Sequence, residues 1–488
     1  MGSFVRSLAF LCSALCPIPA TALATRTGPE TMGPIPPLSS SGRWFTDAAG
    51  RVVMLHGFNE VSKSAPFYPA AFGFGDDDAA FLEGLGFNAV RLGVVMEGLI
   101  PNPGEIDDGY VEHIAETVDT LARHHLFVLL DAHQDGFAPM FRGNGLPNWM
   151  AITDGLPNPP DATFPLYYVL NPAMQRAFEH FWANDPGPDG VGLQDHYVQA
   201  LVRVAERSAS NPWVLGYEVM NEPWPGATWA PCTAGCFDLE HALLAPFYAK
   251  ATGAVRAVAA SQLVFVEPFV LFNFGGAPTS LPGTAAGNAL SFHSYALDVN
   301  GERGVVAQAV AAAERDGAPV LATEFGATLD PVVLGRITDE MDAGLVPWLD
   351  WAYNESVIAD ATRPAGPDNL RSADALASLL RPYPTAIAGI PTAVTFDRVT
   401  KVFECSFTAP QPAPRDRRGR VTVIEIPAPH YPDGYVVQAR GAWVDSPRCA
   451  SRLVLRTKPH AATVSVRVTP RPAGSPDRAC RGAISAGQ

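Results

Sequence analysis

Eight short apolar runs constrain what this chain can fold into more than any other feature. They lie at 52–55, 88–92, 126–131, 214–222, 263–267, 289–293, 318–326 and 346–351. Helical patterns at 76–85, 110–124, 195–208 and 241–260 separate most of them. Strand–helix alternation predicts a parallel sheet, and eight such units predict a closed (β/α)8 TIM barrel. Polar residues follow these runs: His56, Arg91, His133, Glu222, His293, Glu324 and Trp351. A parallel barrel keeps its chemistry at the C-terminal ends of its strands, so these residues are expected at one mouth.

Two runs are more specific than the rest. Val214-Leu215-Gly216-Tyr217-Glu218-Val219-Met220 leads into Asn221-Glu222-Pro223, and Pro223 cannot continue a ladder. Ala318-Pro319-Val320-Leu321-Ala322-Thr323 leads into Glu324-Phe325-Gly326. A lone Asn-Glu-Pro is as readily a strand cap as a site. Two glutamates at the ends of two barrel strands are the pair that glycosidic bond cleavage needs. One of the pair must then keep a proton near neutral pH, and the charge of its partner is the expected cause of its raised pKa.

The 488 residues, 47% of them hydrophobic, suffice for a large core or two domains. A net charge of −15 argues against a nucleic-acid partner. Residues 1–24 read as a signal peptide: Arg6, an apolar run at 8–16, and Ala22-Leu23-Ala24 before a cleavage point. That run is too short to span a bilayer, and no transmembrane segment is expected. Residues 25–40 read as an extended arm, 41–380 as the barrel, and 381–470 as a small β-sandwich of short strand-like runs between Pro, Gly and Asp turns. Residues 471–488 read as a flexible tail. A secreted chain with Cys232 and Cys236 in one loop is expected to join them in a disulfide. Cys405, Cys449 and Cys480 leave room for one further pair. No zinc spacing is present, and neither metal nor cofactor is expected.

The set of motifs resembles the endoglycoceramidases of glycoside hydrolase family 5. The resemblance rests on Leu55-His56-Gly57-Phe58-Asn59-Glu60-Val61 with Lys63-Ser64-Ala65-Pro66, on Asp131-Ala132-His133-Gln134-Asp135, on Phe292-His293-Ser294-Tyr295, and on Trp351-Ala352-Tyr353. It implies hydrolysis, with retention, of the bond between an intact oligosaccharide and ceramide. Glu222 would be the acid/base and Glu324 the nucleophile. Lys63, His133, Asp135 and Asn221 would hold the sugar beside the cut. Tyr295 would support the nucleophile, Trp351 would lie under the sugar, and Arg91 and His293 would give polar support. A galactosyl-linked ceramide series fits the same motifs. The substrate would be a glycosphingolipid at a micelle or membrane surface, and the enzyme a monomer. The rival readings are a secreted endo-β-glucanase or mannanase, and a non-catalytic carbohydrate- or lipid-binding barrel. For the lipid, the apolar residues of the loops after the third and fourth strands are the expected mouth: Phe137, Met140, Phe141, Trp149, Met150, Phe164, Tyr167, Tyr168, Trp224 and Trp229.

Overall fold

The computed structural model describes residues 32–161, 164–275, 279, 287–296, 298–411 and 414–472. The signal-like segment, the start of the arm and the tail from 473 lie outside the described residues. The barrel strands are β1 (His56–Glu60), β2 (Ala89–Val95), β3 (Phe127–His133), β4 (Val214–Glu218), β5 (Leu263–Val266), β6 (Asn288–Ser294), β7 (Val320–Phe325) and β8 (Trp348–Asp350). They close in sequence order, each parallel to its neighbours. Every residue of these strands is buried. Helices cover the outside and side chains fill the inside, so the strands read as unbroken apolar runs rather than alternating ones.

The helices begin where their caps dictate. Asp107 accepts from the Tyr110 amide ahead of Asp108–Arg123. Asp330 caps Pro331–Gly344, and Pro331 takes the first turn, where no amide partner is needed. Asn171 and Pro172 do the same for Pro172–Trp182, a helix absent from the sequence-based expectations.

The first expected strand is corrected. Val52–Val53 does not belong to the barrel but pairs with Trp44–Thr46, which pairs with Ser39–Ser41. This three-stranded sheet plugs the barrel floor, where Leu38, Phe45 and Val53 share a core with Leu55, Leu215 and Leu349. The strand therefore starts at His56, which places that residue at the wrong end for chemistry. Its ring is stacked between Trp348 at 4.1 Å and Tyr383 at 3.8 Å, and burial holds its pKa well below the usual range.

The C-terminal domain is a sandwich of two antiparallel sheets. Its strands are β9 (Tyr383–Ala386), β10 (Ile390–Asp397), β11 (Val402–Thr408), β12 (Val421–Glu425), β13 (Tyr435–Arg440), β14 (Ala442–Val444), β15 (Arg452–Thr457) and β16 (Thr463–Pro470). The sheet orders are β9-β12-β15-β14 and β10-β11-β16-β13. Val52 and Met54 of the floor segment and Leu345 of the barrel lie in the same buried cluster as Phe403, Leu455 and Val466 of the sandwich. Cys232 and Cys236 form a disulfide. Cys405 is a free, buried thiol. Cys449 is disulfide-bonded, and its partner lies outside the described residues. Among the described residues no helix is long and apolar enough to cross a membrane.

Candidate active site

The chemistry is organised around Arg91, fully buried in the middle of β2. Its Nε donates to Glu218 Oε2 at 2.5 Å. Nη1 donates to Asn59 Oδ1 at 2.9 Å and to Glu324 Oε1 at 2.5 Å. Nη2 donates to Asn221 Oδ1 at 2.7 Å and lies 3.0 Å from Asp131 Oδ1. A buried guanidinium needs such partners, because an unpaired buried charge is prohibitive. The planar fork in turn fixes a carboxylate and an amide at defined positions.

Glu222 stands four residues beyond the end of β4. Two backbone hydrogen bonds hold the chain across that gap, from the Val219 amide to Phe265 O and from the Asn221 amide to Ala132 O. Glu222 itself has φ of +41°, an uncommon conformation for a non-glycine residue. Several contacts hold it there. Its amide donates to Glu267 Oε2 at 2.8 Å. Gln134 Nε2 donates to the carbonyls of Asn221 and Glu222 at 2.8 and 2.9 Å. The Glu222 carboxyl accepts from Asn273 Nδ2 at 3.0 Å and meets His293 Nδ1 at 2.8 Å.

Glu324, on β7, is held by Arg91 on one oxygen and by the Tyr295 hydroxyl, at 3.0 Å, on the other. One oxygen of each glutamate and one nitrogen of His293 all lie within 4.8 Å of one another. That agrees with the carboxyl separation of about 5–5.5 Å that a retaining glycosidase uses.

Charge divides the two carboxyls. Burial, then the Asp135 charge, raises Glu222 to about 7, against the opposing charges of His133 and Lys63. The expected cause, Glu324, is thus not the leading one. Burial also raises Glu324 overall, with the Arg91 charge opposing it. The arrangement therefore offers one carboxyl that keeps a proton near neutrality and one whose anion is gripped by two donors. These are the requirements of an acid and a nucleophile.

The other expected residues converge on the same mouth. Burial lowers His133, but Asp131 and Asp135 raise it overall to about 9. Its nitrogens face Asp131 Oδ2 at 2.7 Å and Asp135 Oδ2 at 3.2 Å. Lys63 Nζ donates to Asp135 Oδ2 at 2.6 Å and sits 4.2 Å over the Trp351 ring. Burial pushes Asp135 up, yet Lys63 and His133 hold it well below the carboxylate range. Burial lowers His293 to about 4, so it is neutral at pH 7. Sequence reasoning quotes Asn59, Asp131 and Gln134 within its motifs but gives them no role, and it gives none to Glu218, Glu267 or Asn273. Glu267 carried the same signal as the two glutamates, an apolar strand ending in Glu.

A cleft of about 720 Å³ joins Glu222, Glu324, Tyr295 and Trp351 to an apolar rim. Of the expected rim, Phe164, Tyr167, Tyr168 and Trp224 line the cleft, while Phe137, Met140, Phe141, Trp149, Met150 and Trp229 do not. Phe137, Phe141, Met150, Tyr167, Tyr168 and Trp224 are buried, and Trp149 and Trp229 pack against the same core. Met140 is exposed but does not line the cleft. The exposed large apolar lining residues are Phe164, Leu166 and Phe274, at 65%, 53% and 51%.

A closed parallel barrel with this pair of glutamates defines a glycosidase, and the chain belongs to glycoside hydrolase family 5. Residues 47–357 match the family described as Cellulase (glycosyl hydrolase family 5), and residues 381–469 match the family 5 C-terminal domain. The chain is 34% identical to Endoglycoceramidase I of Rhodococcus hoagii over 437 residues, 85% of this chain and 84% of that protein. It is 28% identical to Endoglycoceramidase of Hydra vulgaris over 427 residues, 80% of each. The solved structure of endo-glycoceramidase II from Rhodococcus sp. superposes with a TM-score of 0.72 at 27% identity, covering 90% of this chain and all of that one. The same protein in complex with ganglioside GM3 superposes at 0.70 and 26% identity, with 87% and 99% covered.

Proposed function

We propose that this glycosidase cleaves the bond between the oligosaccharide and the ceramide of glycosphingolipids, with retention of configuration. The observation that carries the reading is the continuous path from the glutamates to the apolar rim at Phe164, Leu166 and Phe274. A polysaccharide cleft has no need of such a rim, and exposed apolar patches mark binding surfaces. The likeness to endoglycoceramidases supports the same substrate class.

In the reaction, Glu324 attacks the anomeric carbon while Glu222 protonates the departing ceramide oxygen. Arg91 and Tyr295 orient the nucleophile. Water then enters, and Glu222, now a base, takes its proton as the sugar–Glu324 bond breaks. Asn221 is placed by Arg91 and Gln134 at the edge of the sugar. His133, Asp135 and Lys63 offer charged partners for its hydroxyls, and Trp351 its ring face. The enzyme acts as a secreted monomer at a micelle or membrane surface. The signal-like residues 1–24 and the Cys232–Cys236 disulfide support an oxidising compartment.

The test offers detergent-dispersed glycosphingolipids, soluble cellulose and mannan to the purified protein, reading free ceramide and reducing sugar. Ceramide release with little action on polysaccharide is expected. The reverse would make it an endo-glucanase or mannanase. Replacing Phe164, Leu166 and Phe274 together by Ser is expected to raise KM for the lipid several-fold. A short aryl glycoside should be spared, since each buried CH₂ contributes about 0.8 kcal/mol.

A further inference from the structure

Glu267 is the first residue beyond β5 and is fully buried, yet it does not line the cleft. Its Oε2 accepts from the Glu222 amide at 2.8 Å. Its Oε1 faces His293 Nε2 at 3.3 Å. Among the described residues neither of these two buried atoms has another hydrogen-bond partner. Buried polar atoms are paired, so one of the two must bring a hydrogen to the other.

The other end of the imidazole decides which. His293 Nδ1 lies 2.8 Å from Glu222 Oε1 and 3.4 Å from Glu324 Oε2. A neutral imidazole carries one N–H. A bare Nδ1 would turn its lone pair toward the anion of the nucleophile, whereas an Nδ1–H faces both carboxyls as a donor. Nε2 is then the acceptor, and the hydrogen in the gap belongs to Glu267. Burial, then the charges of Glu218 and Glu222, holds Glu267 well above the ordinary carboxyl range against the charge of Arg91, so it has a proton to donate.

This choice reaches the acid itself. Asn273 Oδ1 accepts from the His293 amide at 3.3 Å, which turns Nδ2 toward Glu222 Oε1 at 3.0 Å. Asn273 and His293 thus donate to the same oxygen of Glu222. An oxygen that already accepts two N–H groups is a poor place for the carboxyl hydrogen, which goes to Oε2. With the opposite tautomer, Glu222 would donate its hydrogen to Nδ1 and hold none out for the departing oxygen.

We propose that Glu267 is a positioning residue for the acid step: its buried O–H donates to His293 Nε2, fixes the Nδ1–H tautomer, and so keeps the proton of Glu222 on Oε2. Glu267 keeps its own proton throughout the cycle. Once Glu222 has given its proton away, the same Nδ1–H donates to the anion left behind. The inference rests on the acid role given to Glu222 above, and not on ceramide as the leaving group.

The test compares an alkyl and a nitrophenyl glycoside of the same oligosaccharide, since only the alkoxide needs a proton to leave. Glu267→Leu has no donor for Nε2 and is expected to lose about tenfold to a hundredfold on the alkyl glycoside, a part of what general-acid catalysis supplies, and far less on the nitrophenyl one. Glu267→Gln can donate to Nε2 through its amide nitrogen and accept from the Glu222 amide through its oxygen, so it should restore most of the loss. Equal losses on both substrates in Glu267→Leu, or no restoration by Glu267→Gln, overturn the proposal. Nitrogen NMR of ring-labelled histidine reads the tautomer in the intact wild-type enzyme even if Glu267→Leu does not fold, with the His293 signals assigned by their loss in His293→Gln. A protonated Nδ1 and a bare Nε2 are expected, and the reverse overturns the proposal. Glu222→Ala on the same two substrates tests the acid role separately: equal losses there would sink that role and leave the tautomer to the NMR result.

Discussion

Glu222→Gln is expected to destroy natural turnover and yet stabilise the fold, by an amount that depends on pH. Glu222 rises from its ordinary 4.5 to about 7, chiefly because it is buried. At about 1.36 kcal/mol for each pH unit, its charged form is disfavoured in the native state by on the order of 3 kcal/mol. The shift is upward, so the native state binds the proton more tightly than the unfolded chain does. Stability contributed by this group is therefore full below about 4.5, falls as pH rises to about 7, and stays low above that. Glutamine keeps an oxygen for Asn273 and His293 but does not titrate. The variant should match wild type near pH 4 and exceed it by up to roughly 3 kcal/mol near pH 8. Glu267 and Glu324 are both raised by the Glu222 charge, so relieving them adds in the same direction. Urea unfolding followed at both pH values gives the two differences. A gap that is constant with pH, or larger at pH 4, would refute the reasoning.

Glu324→Ser should abolish hydrolysis while circular dichroism and the unfolding midpoint stay near wild type; retention of more than a small fraction of the rate would displace it as nucleophile. Glu222→Ala should cost about 10²–10⁴ on glycolipid, whose ceramide oxygen leaves poorly, and far less on a nitrophenyl glycoside; equal losses would mean it is not the acid. Glu267→Gln should keep most activity, because an amide oxygen still accepts from the Glu222 amide. Glu267→Leu leaves that buried amide unpaired, at a cost of about 1–3 kcal/mol, and should lower kcat more than it raises KM; similar behaviour of the two variants would remove Glu267 from the positioning of Glu222.

The barrel was legible because eight buried parallel strands write themselves as eight apolar runs. The mouth was legible because polar residues interrupt those runs at corresponding places, Glu222 and Glu324 above all. The limits are equally physical. Residues 52–60 are one continuous stretch in sequence, yet Val52–Val53 and His56–Glu60 pair in different sheets, and composition does not say where the exchange falls. Asp131 and Glu218 lie inside runs buried on both faces, so no alternation exposes them as partners for Arg91. In the insertion after β3, aromatic content alone could not separate Phe137 and Phe141, which pack inward, from Phe164, which does not. β9 was missed because it is short and carries Pro384. Pro172–Trp182 was the avoidable miss, since Asn171-Pro172 is a plain helix start.

The floor plug has a bearing on how this molecule can be cut and reassembled. One family match ends at residue 357 and the other begins at 381, as if the chain were two exchangeable modules. The packing divides differently. Val52 pairs its backbone with Ile387, and its side chain with Met54 lies among sandwich residues while Val53 points to the barrel floor. A ribosome must therefore deliver residue 387 before residue 52 finds all its neighbours. Truncation after the barrel would strip one face of the segment that closes it. Grafting another family member's sandwich would require carrying residues 44–55 along with it.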